Sequence, residues 1–469
     1  MRAPDHPADI TRDWVEYMLT DYEDKANTGT TVEVDSFTIN NGLKPGDGFA
    51  GQLVALDVKA KVTPKSKEAT CNKEYHLMVK MMNASPMDRE FNRLSGTDIR
   101  ELKIYQEVMD ELNKFQEEHG NNEFQLALPK VYYGKCTQNE FVMVMENLKF
   151  EGYDTVATET GLNGDQLKLA VDYLAKLHAV SYAYDKKKSF LEKFPHFKND
   201  LMTKRFFHFA TNVGIMNTKT FLKTVSGKEN LVKKIEKQES TLVNEYNEEM
   251  SDQTSPKVMC LIHGDLWVKN LMFKFGLGEK GEQITKAMHV LDWQRAYWNS
   301  SVLDLHFIFY TSTTKEVRDE HLEDLLRQYH SVFTAATNKL GTPVLNWNYE
   351  GFKAEYDRLQ VFGILRGLII TQLLLSEFGS KFSEKQQSAG TGQKGWFKKI
   401  VDKLTVTILV PILTSWWFQP IHSMLITIVF KALGTELVEG KRPAMNKRIL
   451  GIVEEAEEMG FFDRNKKKA

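Results

Sequence analysis

A chain of 469 residues, 42% hydrophobic, can bury one large or two moderate cores without a metal or disulfide staple. Lys and Arg number 61 against 63 Asp and Glu, a formal charge of -2, which gives no reason to expect a nucleic-acid partner bound through a broad cationic surface. Cys71, Cys136 and Cys260 are far apart and odd in number, which suggests neither a disulfide framework nor a Cys-rich zinc site and fits a reducing cytosol.

The opening residues, MRAPDHPADITRDW, carry no apolar run of the length a secretory signal needs, so a cytoplasmic protein is expected. The N-x-S/T sequons at Asn83 and Asn299 then read as chance matches. From Val32 to Val62 the pattern favours strands, with Val54, Leu56, Val58, Ala60 and Val62 on alternate positions. A strand at Tyr75 to Met81 points Tyr75, Leu77, Val79 and Met81 one way and His76, Met78 and Lys80 the other. An amphipathic helix follows over Asp98 to Phe115, with Glu101, Tyr105, Val108 and Leu112 on one stripe.

Phe141 to Met145 (FVMVM) reads as a buried strand that ends in the polar pair Glu146 and Asn147, a connector between lobes. Asp165 to Tyr184 reads as a strong helix, and helical patterns dominate the remainder except for a β-hairpin near residues 258 to 292. The expected fold class is α+β, a two-lobed arrangement with a small β-rich N-lobe (1–147) and a large, mainly helical C-lobe (148–469). The polar, Gly-rich stretch from Ser383 to Gly395 reads as a loop.

Beyond it, LTVTILVPILTSWWFQPIHSMLITIVF (Leu404 to Phe430) is almost uncharged but broken by Pro411 and Pro420. Two readings stay open for the apolar insertion at about 396–431. One is a buried helical hairpin; the other is a peripheral or re-entrant contact with an intracellular membrane, flanked by Lys394, Lys398, Lys399, Lys403 and Lys431. The terminal KKKA resembles a dilysine retrieval signal, and a solvated basic tail is the commoner origin of such a run.

The strongest local signal is VMCLIHGDLWVKNLMFKF. An apolar run delivers His263, Gly264 and Asp265, with Asn270 five residues after the aspartate. Phosphoryl transfer needs one carboxylate to orient and deprotonate the attacking hydroxyl, and a nearby oxygen ligand for the magnesium that neutralises the phosphates. A hairpin from Leu271 to Leu291 would return the chain to Asn270 and set Asp292 beside it, since the entrance of the first strand and the exit of the second share one end. Asn270 and Asp292 are thus the expected oxygen-rich magnesium site.

Upstream, Gly46, Gly48 and Gly51 spell GxGxxG between strand-like segments, the pattern of a flap over nucleotide phosphates and not of a dinucleotide fold, because a strand follows instead of a helix. Lys80 and Glu101 complete the layout as a cation for the α/β-phosphates and a carboxylate that holds it. Taken singly, each of these residues has an ordinary explanation; their joint order carries the inference. His263 is expected to brace the catalytic loop, His178 to pack near it, and Asp304 to anchor loop amides.

The order GDGFAG, VMVK, RELKIY, IHGDLWVKN, VLDWQ resembles the ecdysteroid kinase-like (CHK kinase-like) family of the aminoglycoside/choline kinase clan, over roughly residues 40 to 375. The resemblance implies a two-lobed, protein-kinase-like fold that binds ATP and Mg2+ and phosphorylates a hydroxyl of a steroid or another small alcohol. By motif match it makes Asp265 the catalytic base, Asn270 and Asp292 the metal ligands, Lys80 and Glu101 the phosphate-anchoring pair, and Glu146, Asn147 and Leu148 the adenine-side hinge. A protein kinase needs a long activation segment, and only eleven residues separate Asp292 from Asp304. A choline or ethanolamine kinase, with Trp267, Trp293 and Trp298 as an aromatic cage, and a catalytically inactive nucleotide-binding protein stay as alternatives.

Overall fold

The structure is a computed structural model that describes residues 1–26, 28–40, 52–65, 70–82, 86–198, 201–251, 258–377 and 433–463. The glycines 46, 48 and 51, the apolar segment 404–430 and the C-terminal lysines lie outside the described residues. The described parts of Met1–Met109 and Ala127–Asp154 form one compact unit, and those of Asp110–Leu126, Thr155–Gly379 and Trp416–Ala469 form a second.

In the first unit, helix α1 (Arg12–Ala26) leads into β1 (Thr31–Asn40), β2 (Gln52–Thr63) and β3 (Cys71–Met81). β4 (Val131–Cys136) and β5 (Phe141–Glu146) complete an antiparallel five-stranded sheet of order β1-β2-β3-β5-β4. The register sets Val54 opposite Val79, Leu56 opposite Leu77 and Val58 opposite Tyr75. Two alternating apolar patterns therefore stack on one face, where Trp14, Val15, Met18 and Leu19 of α1 cover them. Each such buried side chain contributes roughly 1.5–3 kcal/mol.

Two helices, α2 (Pro86–Ser95) and α3 (Thr97–Lys103), lie between β3 and β4 in the chain. The expected helix from Asp98 is present, with a difference: α3 runs through a π turn at Ile104–Val108 into α4 (Met109–Glu118). The stripe of Glu101, Tyr105, Val108 and Leu112 is buried as its spacing implies. A single π turn absorbs one extra residue, a feature that α-helical periodicity does not encode.

After the short β6 (Tyr153–Asp154), the second unit is mainly helical. Asn163 and Gln166 form a capping box that starts α5 (Gly164–Lys188). The short α6 (Phe190–Lys193), α7 (Leu201–Leu222) and α8 (Glu229–Ser251) precede β7 (Met259–Ile262) and the hairpin of β8 (Leu271–Leu277) and β9 (Gln283–Val290). β10 (Tyr297–Ser300) pairs with β7 and buries the Asn299 sequon. Helices α9 (Val302–Ser312), α10 (Lys315–Lys339), α11 (Tyr349–Arg358) and α12 (Gln360–Leu375) follow, and α13 (Pro443–Glu458) packs on α12. Arg318 donates from Nε to Glu455 of α13 at 2.7 Å, and Arg448 of α13 donates to the Thr311 carbonyl at 3.0 Å.

Among the described residues no single helix is long and apolar enough to cross a membrane. Helices α11 and α12 reach that apolar length only as a pair bent by 49°, and α12 is buried within its unit.

Candidate active site

In the first unit, Lys80 lies on β3 between Leu53 of β2 and Met143 of β5. Its ammonium reaches both carboxylate oxygens of Glu101, on α3, at 2.8 Å. Glu101 is 1% exposed and Lys80 8%, so this pair is almost fully desolvated and fixes the lysine's position.

At the end of β5 the Glu146 N–H donates to the Lys130 carbonyl at 2.9 Å and its Oε1 accepts from the Lys130 N–H at 2.7 Å. The Asn147 N–H donates to the His76 carbonyl at 2.9 Å, and the Leu148 carbonyl accepts from Tyr153 at 2.9 Å. Residues 146 to 148 thus form a tightly tied turn.

In the second unit, the apolar strand β7 ends at His263, and the loop beyond it is held from several directions. Asp304, in the first turn of α9, accepts from the His263 N–H at 2.6 Å and the Gly264 N–H at 2.9 Å. The same carboxylate accepts from His178 Nε2 at 3.3 Å, and His178 Nδ1 meets the Tyr329 hydroxyl at 2.8 Å. Burial alone would push the Asp304 carboxyl up; the His178 hydrogen bond, the nearby imidazoles and the Gly264 N–H together hold it below its ordinary value. The expected roles of His178, His263 and Asp304 match these contacts.

His263 Nε2 donates to the Leu291 carbonyl at 2.9 Å, and its Nδ1 accepts from the Asp265 N–H at 3.3 Å. The Val268 N–H donates to Ser312 Oγ at 3.0 Å. Gly264 adopts φ +76, and a Cβ there would run into the Arg295 carbonyl and lie 2.8 Å from the Tyr297 ring, so no other residue fits.

The hairpin does what its spacing implies. Leu271 pairs with Val290, and the Leu291 N–H donates to the Asn270 carbonyl at 2.9 Å, which sets Asp292 one residue beyond Asn270's partner. Asn270 Nδ2 donates to the Asp265 carbonyl at 2.8 Å. Asp265, Asn270 and Asp292 are therefore brought together.

Asp292 has φ 60 and ψ 67, a left-handed backbone that costs a non-glycine residue about 1–2 kcal/mol. Such a conformation persists where surrounding structure imposes it, which is common at functional sites. The Asp265 side chain is half-buried. Burial pushes its carboxyl up, the Asp292 charge adds to that push, and Arg295, His263 and Arg366 oppose it.

With Nδ2 of Asn270 committed, its Oδ1 remains for a cation, alongside the Asp292 carboxylate. Two hard oxygen donors fit magnesium. Among the described residues no group of three or more His, Cys, Asp or Glu is placed to hold a metal.

Ser312, Arg295 and Arg366 are neighbours of this loop that sequence reasoning did not single out. A signal existed for Arg366, the lone charge in the apolar run QVFGILRGLIITQLLL. The three tryptophans near the motifs are all buried: Trp293 packs on His263 at 4.6 Å, and Trp298 stacks on Phe190 at 4.8 Å.

A family model described as the ecdysteroid kinase-like family matches residues 45–342. Among curated proteins no sequence matches. The chain is similar to the solved structure of an ethanolamine kinase from Plasmodium vivax at 14% identity, over 80% of this chain and 88% of that one, with a TM-score of 0.33. It is similar to a choline kinase from Cryptosporidium parvum at 12% identity, over 82% and 93%, with a TM-score of 0.34. For the choline kinase LicA from Streptococcus pneumoniae the identity is 13%, over 80% and 98%, with a TM-score of 0.31. At these scores the assignment rests on the family model, which spans more than half of the chain.

Proposed function

From the premise that this chain belongs to the ecdysteroid kinase-like family, we propose that it is a small-molecule kinase that transfers the γ-phosphoryl group of ATP to a hydroxyl of a steroid-like or other small alcohol. The observation that carries this reading is the joining of Asp265, Asn270 and Asp292 by the hairpin register and by His263.

In this reading Asp265 orients the acceptor hydroxyl and takes its proton as the new O–P bond forms and the bond to the ADP oxygen breaks. Asn270 Oδ1 and the Asp292 carboxylate would hold magnesium, which supplies neutralisation of phosphate charge. Asp304 and His178 keep the loop rigid, so that the base meets its substrate without reorganisation.

Lys80, held by Glu101, would anchor the α/β-phosphates; Gly46, Gly48 and Gly51 would supply the phosphate flap, and Glu146, Asn147 and Leu148 the adenine-side contacts. The intact set of Lys80, Glu101, Asp265, Asn270 and Asp292 favours an active enzyme over an inactive carrier. A choline- or ethanolamine-type head-group acceptor is the second reading, with Trp267, Trp293 and Trp298, all buried, close to the motifs in sequence.

The reading places the protein in the cytoplasm, with membrane contact through 396–431 as a further proposal. The test is incubation with ATP and a panel of hydroxylated steroids, amino alcohols and phenols, with each acceptor scored by mass for gain of one phosphoryl group. Phosphorylation of a steroid or other alcohol supports the reading; no transfer to any of them removes it.

A further inference from the structure

Helix α9 grips the loop that carries Asp265 and Asn270 at two points, one from each end of the helix. Asp304, in its first turn, accepts from the His263 and Gly264 N–H groups at 2.6 and 2.9 Å. Ser312, its last residue, accepts from the Val268 N–H at 3.0 Å. Asp304 and Ser312 are eight residues apart, about 12 Å along a helix axis. One rigid element therefore fixes both the Asp265 side and the Asn270 side of the loop.

Val268 opens the 3-10 turn Val268–Asn270. The first N–H groups of such a turn have no partner inside it, and the Trp267 side chain at the N-cap makes no capping bond. Ser312 supplies that bond from the far end of α9. Asn270 closes the same turn: its N–H donates to the Trp267 carbonyl at 2.9 Å and its Nδ2 to the Asp265 carbonyl at 2.8 Å. Holding the Val268 amide thus sets the orientation in which Asn270 presents Oδ1.

The Ser312 hydroxyl is itself directed. Thr311 Oγ1 donates to the Phe307 carbonyl at 2.7 Å and lies 3.2 Å from Ser312 Oγ. With its own proton so used, Thr311 accepts the Ser312 proton and leaves a Ser312 lone pair for Val268. Both hydroxyl-bearing residues are fully buried, so bulk water does not replace a lost link. The backbone here is pinned as well. The Ser312 carbonyl accepts from the Leu162 N–H at 2.8 Å, and Arg448 of α13 donates to the Thr311 carbonyl at 3.0 Å. Gly161, at φ +73, lets the chain pass so close that a Cβ there would lie 2.6 Å from the Ser312 carbonyl oxygen.

Resting on the phosphotransferase reading, we propose that Ser312 is a positioning residue for the metal side of the loop: by capping the Val268 N–H it fixes the orientation in which Asn270 meets magnesium. It touches neither metal nor substrate. Because Asp304 holds the Asp265 side independently, loss of the Ser312 hydroxyl shows in metal binding and not in acceptor binding.

The test uses the full chain with a non-hydrolysable ATP analogue and Mn2+ as a spectroscopic stand-in for magnesium, read by electron paramagnetic resonance, so it needs no knowledge of the acceptor. Ser312→Ala is expected to weaken Mn2+ binding to the protein–nucleotide complex by roughly 10-fold. In turnover with any alcohol the wild type accepts, the same variant needs roughly 10-fold more Mg2+ for half-maximal rate, while KM for the acceptor stays within about twofold.

A folded Ser312→Ala that melts at a lower temperature but binds Mn2+ as tightly as wild type overturns the proposal, because a merely structural role predicts that pattern. If Ser312→Ala does not fold, Thr311→Val takes its place. It strips the Ser312 proton of its acceptor and is expected to weaken Mn2+ binding by roughly 3-fold; unchanged affinity in it overturns the proposal equally. Wild-type protein that binds no Mn2+ with nucleotide present overturns the phosphotransferase reading itself, a result distinct from an unmoved affinity in the variants.

Discussion

The His263 ring donates from Nε2 to the Leu291 carbonyl at 2.9 Å while its Nδ1 accepts from the Asp265 N–H at 3.3 Å. One imidazole therefore ties the chain next to Asp292 to the chain at Asp265. Replacing it with a residue that fills the volume but forms neither bond should loosen both segments. His263→Phe is expected to lower stability by about 1–3 kcal/mol and kcat by roughly 10- to 100-fold, with KM for ATP little changed, as read by denaturant melts and steady-state kinetics. Wild-type kcat in a folded His263→Phe protein would contradict this role.

Lys80 and Glu101 predict a sharper non-additivity. Lys80→Met leaves the Glu101 carboxylate buried without its partner, at a cost of about 3–5 kcal/mol. The double variant Lys80→Met with Glu101→Leu is expected to recover most of that stability while ATP turnover stays lost, because the phosphate anchor is absent in both. Recovery of turnover in the double variant would remove Lys80 from nucleotide binding.

Two aspartates on the same loop network should respond to pH with opposite sign. The Asp265 carboxyl is raised, so its ionisation opposes folding: its favourable contribution is present below the unfolded-state pKa and lost as pH rises through the folded value. The Asp304 carboxyl is lowered, so its contribution is present above the unfolded-state pKa, about 3.9, and lost as pH falls through the folded value. Asp265→Asn should therefore raise the melting temperature at pH 8, with the gain shrinking on acidification, whereas Asp304→Asn should lower it. A lower melting temperature for Asp265→Asn at pH 8 would show that its burial is not the dominant influence.

The flanks of the apolar insertion constrain any membrane role. The Glu377 N–H donates to Glu436 Oε2 at 2.6 Å, and Leu433 packs with Ala210, Val213 and Ile369, so the chain on both sides of the insertion belongs to one unit. A segment that leaves and returns at the same place cannot cross a bilayer once and leave its two flanks on opposite sides. The full-length protein is expected to sediment with membranes, and deletion of 396–431 to free it with ATP turnover intact. Full-length protein that stays in the supernatant without detergent would remove the anchor.

How much of this was readable from the residues depends on range. Strand alternation gave β2 and β3, and the apolar run before His263 followed by Asp265 and Asn270 gave the loop, because these signals are local. Asp292 was placed beside Asn270 by hairpin geometry alone, since β8 and β9 are adjacent in the chain. The π turn at Ile104–Val108 was not readable, as it changes helix register without changing composition. Ser312 under Val268, and Arg366 beside the loop, depend on helix packing over 44 and roughly 100 residues of chain, which periodicity does not report. Closeness in sequence to a motif does not say which way a tryptophan ring points.

The central claim is that Asp265 works as the base against a nucleotide held by Asn270 and Asp292. The most direct measurement compares ATP-dependent phosphorylation of an alcohol by wild type and Asp265→Asn, alongside nucleotide binding by each. The expected result is a fall of roughly 100- to 10,000-fold in kcat with nucleotide affinity largely kept. Equal turnover by the two proteins would contradict the account.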